Sequence, residues 1–414
     1  MTVTEDYLST SRLFRRLRRG AHGQLIELYA ARLVELGLSR HGTWRSLNVV
    51  GNLLAWMARH RSKLSNLDER MVERYLRHQG GKQTIQLDDR AALKRWLVTL
   101  RAAGAITPKA VPTVTPQEQI FGEFGDYLRS ERGLTAKTIA HHLPAIRRFL
   151  FEVCPAGASD LGKIKPDDVI RYVERHARDW SPKSAKLMCW SLRAFLRYLH
   201  HTGLNRQALA GCVPSIREWK LVGLPTYLPA AQVQKVLDGC DRASPTGRRD
   251  FAILMLLSKL GLRADEVATL TLDDVDWRSG DMLVRAKGRQ RARMPIPSDV
   301  GAAIVAYLQD GRPKTSCRQL FLRSLAPHTG FASASAITMI AKTALERAGI
   351  QGCAHQGAHI FRHSLATELL RCGATLSEIG HLLRHKSHDT TRIYAKVDIE
   401  ALRSLSLPWP GGAQ

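Results

Sequence analysis

The sequence has no Cys-x-x-Cys pair, no long apolar run and a marked shortage of acidic residues. Its seven cysteines, Cys154, Cys189, Cys212, Cys240, Cys317, Cys353 and Cys372, are scattered and odd in number. That excludes a disulfide framework or a paired-cysteine zinc site, and predicts mostly buried free thiols in a reducing cytoplasm. The most apolar run, Phe251 to Leu257, is far shorter than the ~20 residues that cross a bilayer. The N-terminal MTVTEDYLSTSRLFRRLRRG lacks the apolar centre of a signal peptide. A membrane protein is excluded and no export is expected. Low-complexity stretches are also missing. With 44% hydrophobic and 24% charged residues, the 414-residue chain has the composition of an ordinary folded protein, and its length suits roughly two to four domains.

Positive charge, by contrast, is abundant. Lys and Arg total 62 against 37 Asp and Glu, a net charge of +25, so a polyanion is the natural partner.

Pro-bearing stretches at 107–116 and 213–225 divide the chain into segments 1–106, 117–212 and 226–414. The first two look alike. ELGLS parallels ERGLT, ERYL parallels IRYV, and RWLVTLRAAG parallels AFLRYLHHTG, in the same order at an offset of roughly a hundred residues. A duplicated all-helical unit explains the matches; two unrelated bundles sharing amphipathic periodicity would also produce them. In the middle segment Phe121, Phe124, Leu128, Ile139, Leu143, Ile146 and Phe149 recur at helical spacing, with Thr135 and Ser181 as expected N-caps. Arg147, Arg148, Lys183, Lys186, Arg193 and Arg197 interrupt these stripes, either as a solvated face or as a face that tracks phosphates. The C-terminal segment changes character: an apolar helix over 250–260 ended by Gly261, two short strands over 281–285 and 290–296, and helical patterns again from Ser333. The expected class is mainly α with a small antiparallel sheet.

Three places in this segment carry chemistry. Arg263, in GLRADEV, stands at a helix start, where a guanidinium and free backbone N–H groups suit a phosphate oxygen, with Glu266 one turn on to orient it. Alone, such a pair is far more often a surface salt bridge. KGRQRARMPIP reads as a tight hairpin, with Lys287 at the end of its first strand and Arg289, Arg291 and Arg293 on its tip and exposed face, where they suit a DNA groove or simply solvent. The densest stretch runs from His359 to Val397. There His359 and Arg362 share a helical face and can converge on one anion, and Thr375 with Glu378 forms a capping box for a helix that delivers His385. Tyr394 follows nine residues later.

Together, GLRADE, a hairpin Lys, H-x-x-R-H-S-x-A-T, L-L-R-H and the following Tyr resemble the tyrosine recombinase family, which includes phage-type integrases, resolving recombinases and several transposases. The likeness spans the C-terminal segment as a catalytic domain and the middle segment as a helical core-binding domain; segment 1–106, an additional helical DNA-binding unit, departs from a minimal member. A second departure is Arg384, where the family usually has Gly before the second His.

The resemblance implies Arg263, Lys287, His359, Arg362 and His385 as the activating set and Tyr394 as nucleophile. Tyr394 would form a 3′-phosphotyrosyl link with help from His359 as base, Lys287 would protonate the leaving 5′ oxygen, and the arginines would stand in for metal ions. It implies double-stranded DNA as partner, a homo- or hetero-tetramer with related recombinases, no cofactor, metal or ATP, and a cytoplasmic, nucleoid-associated enzyme of a mobile element. The tail repeats Ile399, Leu402 and Leu405 along one face, to dock on a neighbour or on its own domain.

Other readings stay open at this point. A type IB topoisomerase uses similar groups, and an accessory subunit would bind DNA without cutting it. His355, His359 and His363 at intervals of four suggest zinc only weakly, without an H-E-x-x-H glutamate. Trp190, Trp219 and Trp277 are expected to be core or linker anchors.

Overall fold

The computed structural model describes residues 12–80, 87–108, 115–154, 157–217, 226–285, 291–351, 356–385 and 387–396. They fall into two compact units, 1–109 with 223–414 and 110–222.

In the first unit the N-terminal segment forms α1 (Arg12–Arg18), α2 (Gly23–Glu35), α3 (Arg40–Arg59), α4 (Glu69–Gly80) and α5 (Leu87–Ala102). Ser39 starts α3 by accepting a hydrogen bond from the Gly42 N–H at 3.1 Å, which satisfies one of the orphan donors of a first turn. Tyr29 and Trp96 meet edge to face at 5.1 Å in a core with Leu33, Leu53 and Leu93. The Tyr29 hydroxyl donates to the Ala92 carbonyl at 2.8 Å, which ties α2 to α5.

The second unit holds four helices, α6 (Pro116–Ser130), α7 (Ala136–Val153), α8 (Pro166–Ala177) and α9 (Pro182–His201). Thr135 and Ser181 cap α7 and α9 through backbone N–H groups three residues on. Phe124, Phe149 and Phe195 fill the core, so the predicted apolar stripe is the buried one. Trp190 departs from expectation: it is half-exposed against the His142 ring, 4.3 Å away.

The C-terminal segment comprises α10 (Ala230–Asp238), α11 (Pro245–Lys259), α12 (Ala264–Thr269), β1 (Val275–Asp276), β2 (Asp281–Arg285), β3 (Arg291–Pro295), α13 (Ser298–Asp310), α14 (Ala334–Arg347), α15 (Ala358–Arg371), α16 (Leu376–Leu382) and α17 (His388–Thr391), then a 3₁₀ turn Arg392–Lys396. Helix α11 starts earlier than its apolar run predicts, because Ser244 caps it and Pro245 takes the first position, where no N–H is needed. It is central, buried from Ala252 to Leu257 and packed on α13 and α15. The sheet is antiparallel in the order β1-β2-β3, with Met282 opposite Met294 and Val284 opposite Ala292. Met282, Val284 and Met294 face the core while Arg291 and Arg293 are exposed, the alternation expected of a half-buried strand. Trp277, beside this sheet, is exposed rather than an anchor.

Candidate active site

The site is built where the ends of two helices meet the start of a third. Gly261 follows α11 at φ 56, a left-handed backbone that favours glycine, and an added Cβ there would press on the end of the Leu383 side chain at 2.7 Å. The turn places Arg263 at the N-cap of α12. Its backbone N–H donates to Glu266 Oε2 at 2.9 Å and its Nη1 to Oε1 at 2.7 Å. Its Nη2 reaches the Arg384 carbonyl at 3.4 Å, and over a quarter of the side chain stays exposed.

Arg362, on α15, is only 3% exposed. Its Nη1 donates to the Gly261 carbonyl and its Nη2 to the Leu383 carbonyl. These oxygens terminate α11 and α16, where unpaired carbonyls and the helix dipole favour a cation. Burial, then repulsion from Arg263, lowers the Arg362 guanidinium to about 9, so it stays charged at neutral pH.

Helix α16 begins at the expected box: the Thr375 hydroxyl accepts from the Glu378 N–H at 3.3 Å and Glu378 accepts from the Thr375 N–H at 2.8 Å. It ends by delivering His385, whose Nδ1 lies 2.8 Å from the Thr391 hydroxyl. Burial and the nearby Arg362 and Arg263 charges pull His385 down to about 4, so its imidazole is neutral at pH 7. Tyr394, in the 3₁₀ turn, is 1% exposed and packs with Ala366, Ile379 and Leu383. Its ring stacks at 9° to that of His385. Burial pushes its phenol up to about 12 against the pull of Arg362 and Arg263.

The hydroxyl of Tyr394 lies 2.9 Å from His363 Nδ1, a partner the sequence did not single out. His363 adjoins Arg362 on α15, and its signals in the sequence were its place in H-x-x-R-H-S-x-A-T, where it was given no role, and in the weak four-residue histidine spacing. His359 is exposed at the start of α15, its ring 6.3 Å from that of His363. The structure thus brings Arg263, Glu266, Arg362, His385 and Tyr394 together, with His363 and Arg384 added. Lys287 and Arg289 lie outside the described residues, as do His355, Cys353, Trp219 and the tail residues Ile399, Leu402 and Leu405.

The other basic candidates lie elsewhere. Arg291 and Arg293 line the open face of β3. In the second unit Arg147 and Arg148 stack over Phe121 and Trp180 at 5.1 and 5.0 Å, and Lys183, Lys186 and Arg197 are exposed. Arg193 is turned inward, with Nη2 donating to the Val213 and Pro214 carbonyls and the Ser215 hydroxyl at 3.0 Å each, so it straps the segment after α9.

Two family models match the chain, the Phage integrase family over residues 226–400 and the Phage integrase, N-terminal SAM-like domain over residues 121–203. The integrase/recombinase y4rA of Sinorhizobium fredii is 37% identical over 388 residues, covering 93% of this chain and 94% of its own. The chain belongs to the phage integrase family of tyrosine recombinases. Tyrosine recombinase XerD of Mycobacterium tuberculosis is 32% identical over 302 residues, 69% of this recombinase and 94% of XerD. The fold is shared with XerH bound to palindromic difH in a post-cleavage complex, at a TM-score of 0.53 and 16% identity over 71% of this chain and 97% of that one. A lambda integrase dimer bound to a COC′ core site gives 0.52 and 15% over 67% and 94%. Residues 1–120 lie outside both family models, whereas the alignment to the S. fredii integrase/recombinase y4rF, at 32% identity, covers 99% of the recombinase and 97% of y4rF.

Proposed function

We propose that this recombinase cuts and rejoins double-stranded DNA at a specific site through a 3′-phosphotyrosyl intermediate on Tyr394, without metal or ATP. The observation that carries the reading is the Tyr394 hydroxyl, 2.9 Å from His363 Nδ1 in the pocket that also holds Arg362 and His385. A phenol held near 12 is a poor nucleophile at neutral pH, so attack needs a base and a cationic field. With Nδ1 unprotonated, His363 accepts the phenol proton as the Tyr394 Oη–P bond forms. The P–O5′ bond breaks and Lys287 gives its proton to the leaving oxygen. Arg263 and Arg362 exchange their carbonyl contacts for the nonbridging oxygens, where forked donors match the developing charge. His385 donates to the same phosphate, and the exposed His359 is placed to meet the DNA. Attack by a second 5′-hydroxyl on the phosphotyrosine reverses the balance and restores the tyrosine.

The wider assembly follows the same reading. Segments 1–106, 117–212 and 226–414 all contribute to holding the duplex, and four protomers, identical or related, exchange strands for a mobile element in the bacterial nucleoid. Relatives called integrase/recombinase support that role. The test is incubation with nicked DNA carrying the flanks of its own gene, quenched in SDS. A chelator-resistant covalent adduct, absent from Tyr394→Phe, is expected. Salt-sensitive binding with no adduct would refute the cleavage reading, and relaxation of plasmids lacking any special site would favour topoisomerase action.

A further inference from the structure

Arg384 occupies a position that resists it. Its N–H donates to the His381 carbonyl at 3.0 Å and the His385 N–H to the Gly380 carbonyl at 2.9 Å, the paired bonds that close a helix through a left-handed residue. Its φ of 54 favours glycine and strains any side chain. The arginine does not turn out to solvent either. Its side chain is 9% exposed, and its Nε is buried with no hydrogen-bond partner among the described residues. A strained backbone and a buried cation with an unmet donor both oppose folding.

What the side chain reaches explains why it is there. Nη2 donates to Glu266 Oε2 at 2.8 Å, the carboxylate that also holds the backbone and fork of Arg263. Nη1 donates to the Leu382 carbonyl at 3.1 Å and lies against the Met294 sulfur on β3. One carboxylate thus binds two guanidinium groups, and one side chain links the end of α16, the start of α12 and the hairpin strand.

We propose that Arg384 is a positioning residue for cleavage, resting on the function proposed above. It donates to Glu266 Oε2 alongside the Arg263 backbone N–H, so that the carboxylate stays charged and in place when the Arg263 fork leaves Oε1 for the scissile phosphate. Through Met294 it sets the hairpin strand against the turn that presents His385. With glycine at this position, Glu266 would keep only the Arg263 backbone N–H once the fork turns away.

The test measures covalent adduct formation on a nicked suicide substrate at saturating DNA, with DNA affinity and melting temperature determined alongside. Arg384→Gly, which removes the left-handed strain, is expected to fold and to bind DNA within about 3-fold of wild type, yet to form adduct about 10- to 100-fold more slowly, the scale of a misplaced catalytic group. Arg384→Gln keeps the strain and loses the charge, and should show the same slow step; Arg384→Lys should recover most of the rate. In a double-mutant cycle, Glu266→Gln should add little to Arg384→Gly. Wild-type rates in both Arg384→Gly and Arg384→Gln would overturn the proposal while leaving Tyr394 as nucleophile. Absence of any Tyr394-dependent adduct in the wild type would overturn the function and this role together.

Discussion

The two helical bundles share a plan but spend their arginines differently. Each has four main helices in the same order, a Ser or Thr cap at the equivalent start (Ser39 and Thr135), and a left-handed glycine just before that cap (Gly37 and Gly133). In the first bundle arginines brace one helix to another. Arg90 forks onto Glu73 at 2.7 and 3.2 Å, Arg101 onto Glu69 at 3.0 and 2.7 Å, and Arg45 reaches Asp89 at 3.3 Å. In the second, Arg129, Lys163 and Arg171 pair with acids three residues away and Arg175 reaches from α8 to Glu152 on α7 at 3.3 Å, while Arg147, Arg148, Lys183 and Lys186 are exposed along α7 and α9. Residues matched by the family's SAM-like domain model lie in the second bundle. The second bundle thus presents an exposed basic row on α7 and α9, with Arg147 and Arg148 held by stacking on Phe121 and Trp180, where the first braces its helices with forked arginines.

The largest effect should come from exchanging those roles. Replacing Arg147, Arg148, Lys183 and Lys186 by Ala is expected to weaken DNA binding about 100-fold or more and to flatten its salt dependence by several counterions. Arg45→Ala, Arg90→Ala and Arg101→Ala together should instead lower the melting temperature of the first bundle. Titrations over a salt series, beside thermal melts, check both, and equal loss of affinity in the two sets would erase the distinction.

Next in size is glycine replacement. Gly37→Ala should cost more than Gly133→Ala, which carries only the left-handed penalty of about 1 kcal/mol, because an added Cβ at Gly37 lies 2.7 Å from the His328 ring, which must then shift, whereas at Gly133 it meets nothing within 4 Å among the described residues. Denaturant unfolding measures the gap. Smaller still, Ser39→Ala and Thr135→Ala should each cost about 1 kcal/mol if the two caps are equivalent.

The same contrast extends to pH. His385 is held at about 4 when folded and near its ordinary ~6.5 when unfolded. Its contribution to stability is therefore full above pH ~6.5 and is lost as pH falls toward 4, because the unfolded chain takes up the proton first. His385→Gln should flatten melting temperature against pH in that window, and an unchanged slope would refute the neutral buried imidazole.

How much of this was legible in the sequence depends on range. The Thr375–Glu378 box, the Thr135 and Ser181 caps and both hairpin strands follow from neighbours within a few residues, and they are seen within a residue of their expected places. The start of α11 was missed because the apolar run, not the cap at Ser244, drew attention. His363 and Arg384 acquire their meaning from Tyr394 and Glu266, which are 31 and 118 residues away. No local pattern encodes such contacts. Burial of Arg362 between two helix ends is likewise a tertiary fact.

The most direct measurement is to isolate the trapped adduct, identify the modified peptide by mass spectrometry and analyse the DNA ends. One phosphotyrosine at Tyr394 carrying a 3′ strand, opposite a free 5′-hydroxyl, is predicted. Linkage at another residue, attachment to a 5′ phosphate, or nicks with no attached protein would contradict it.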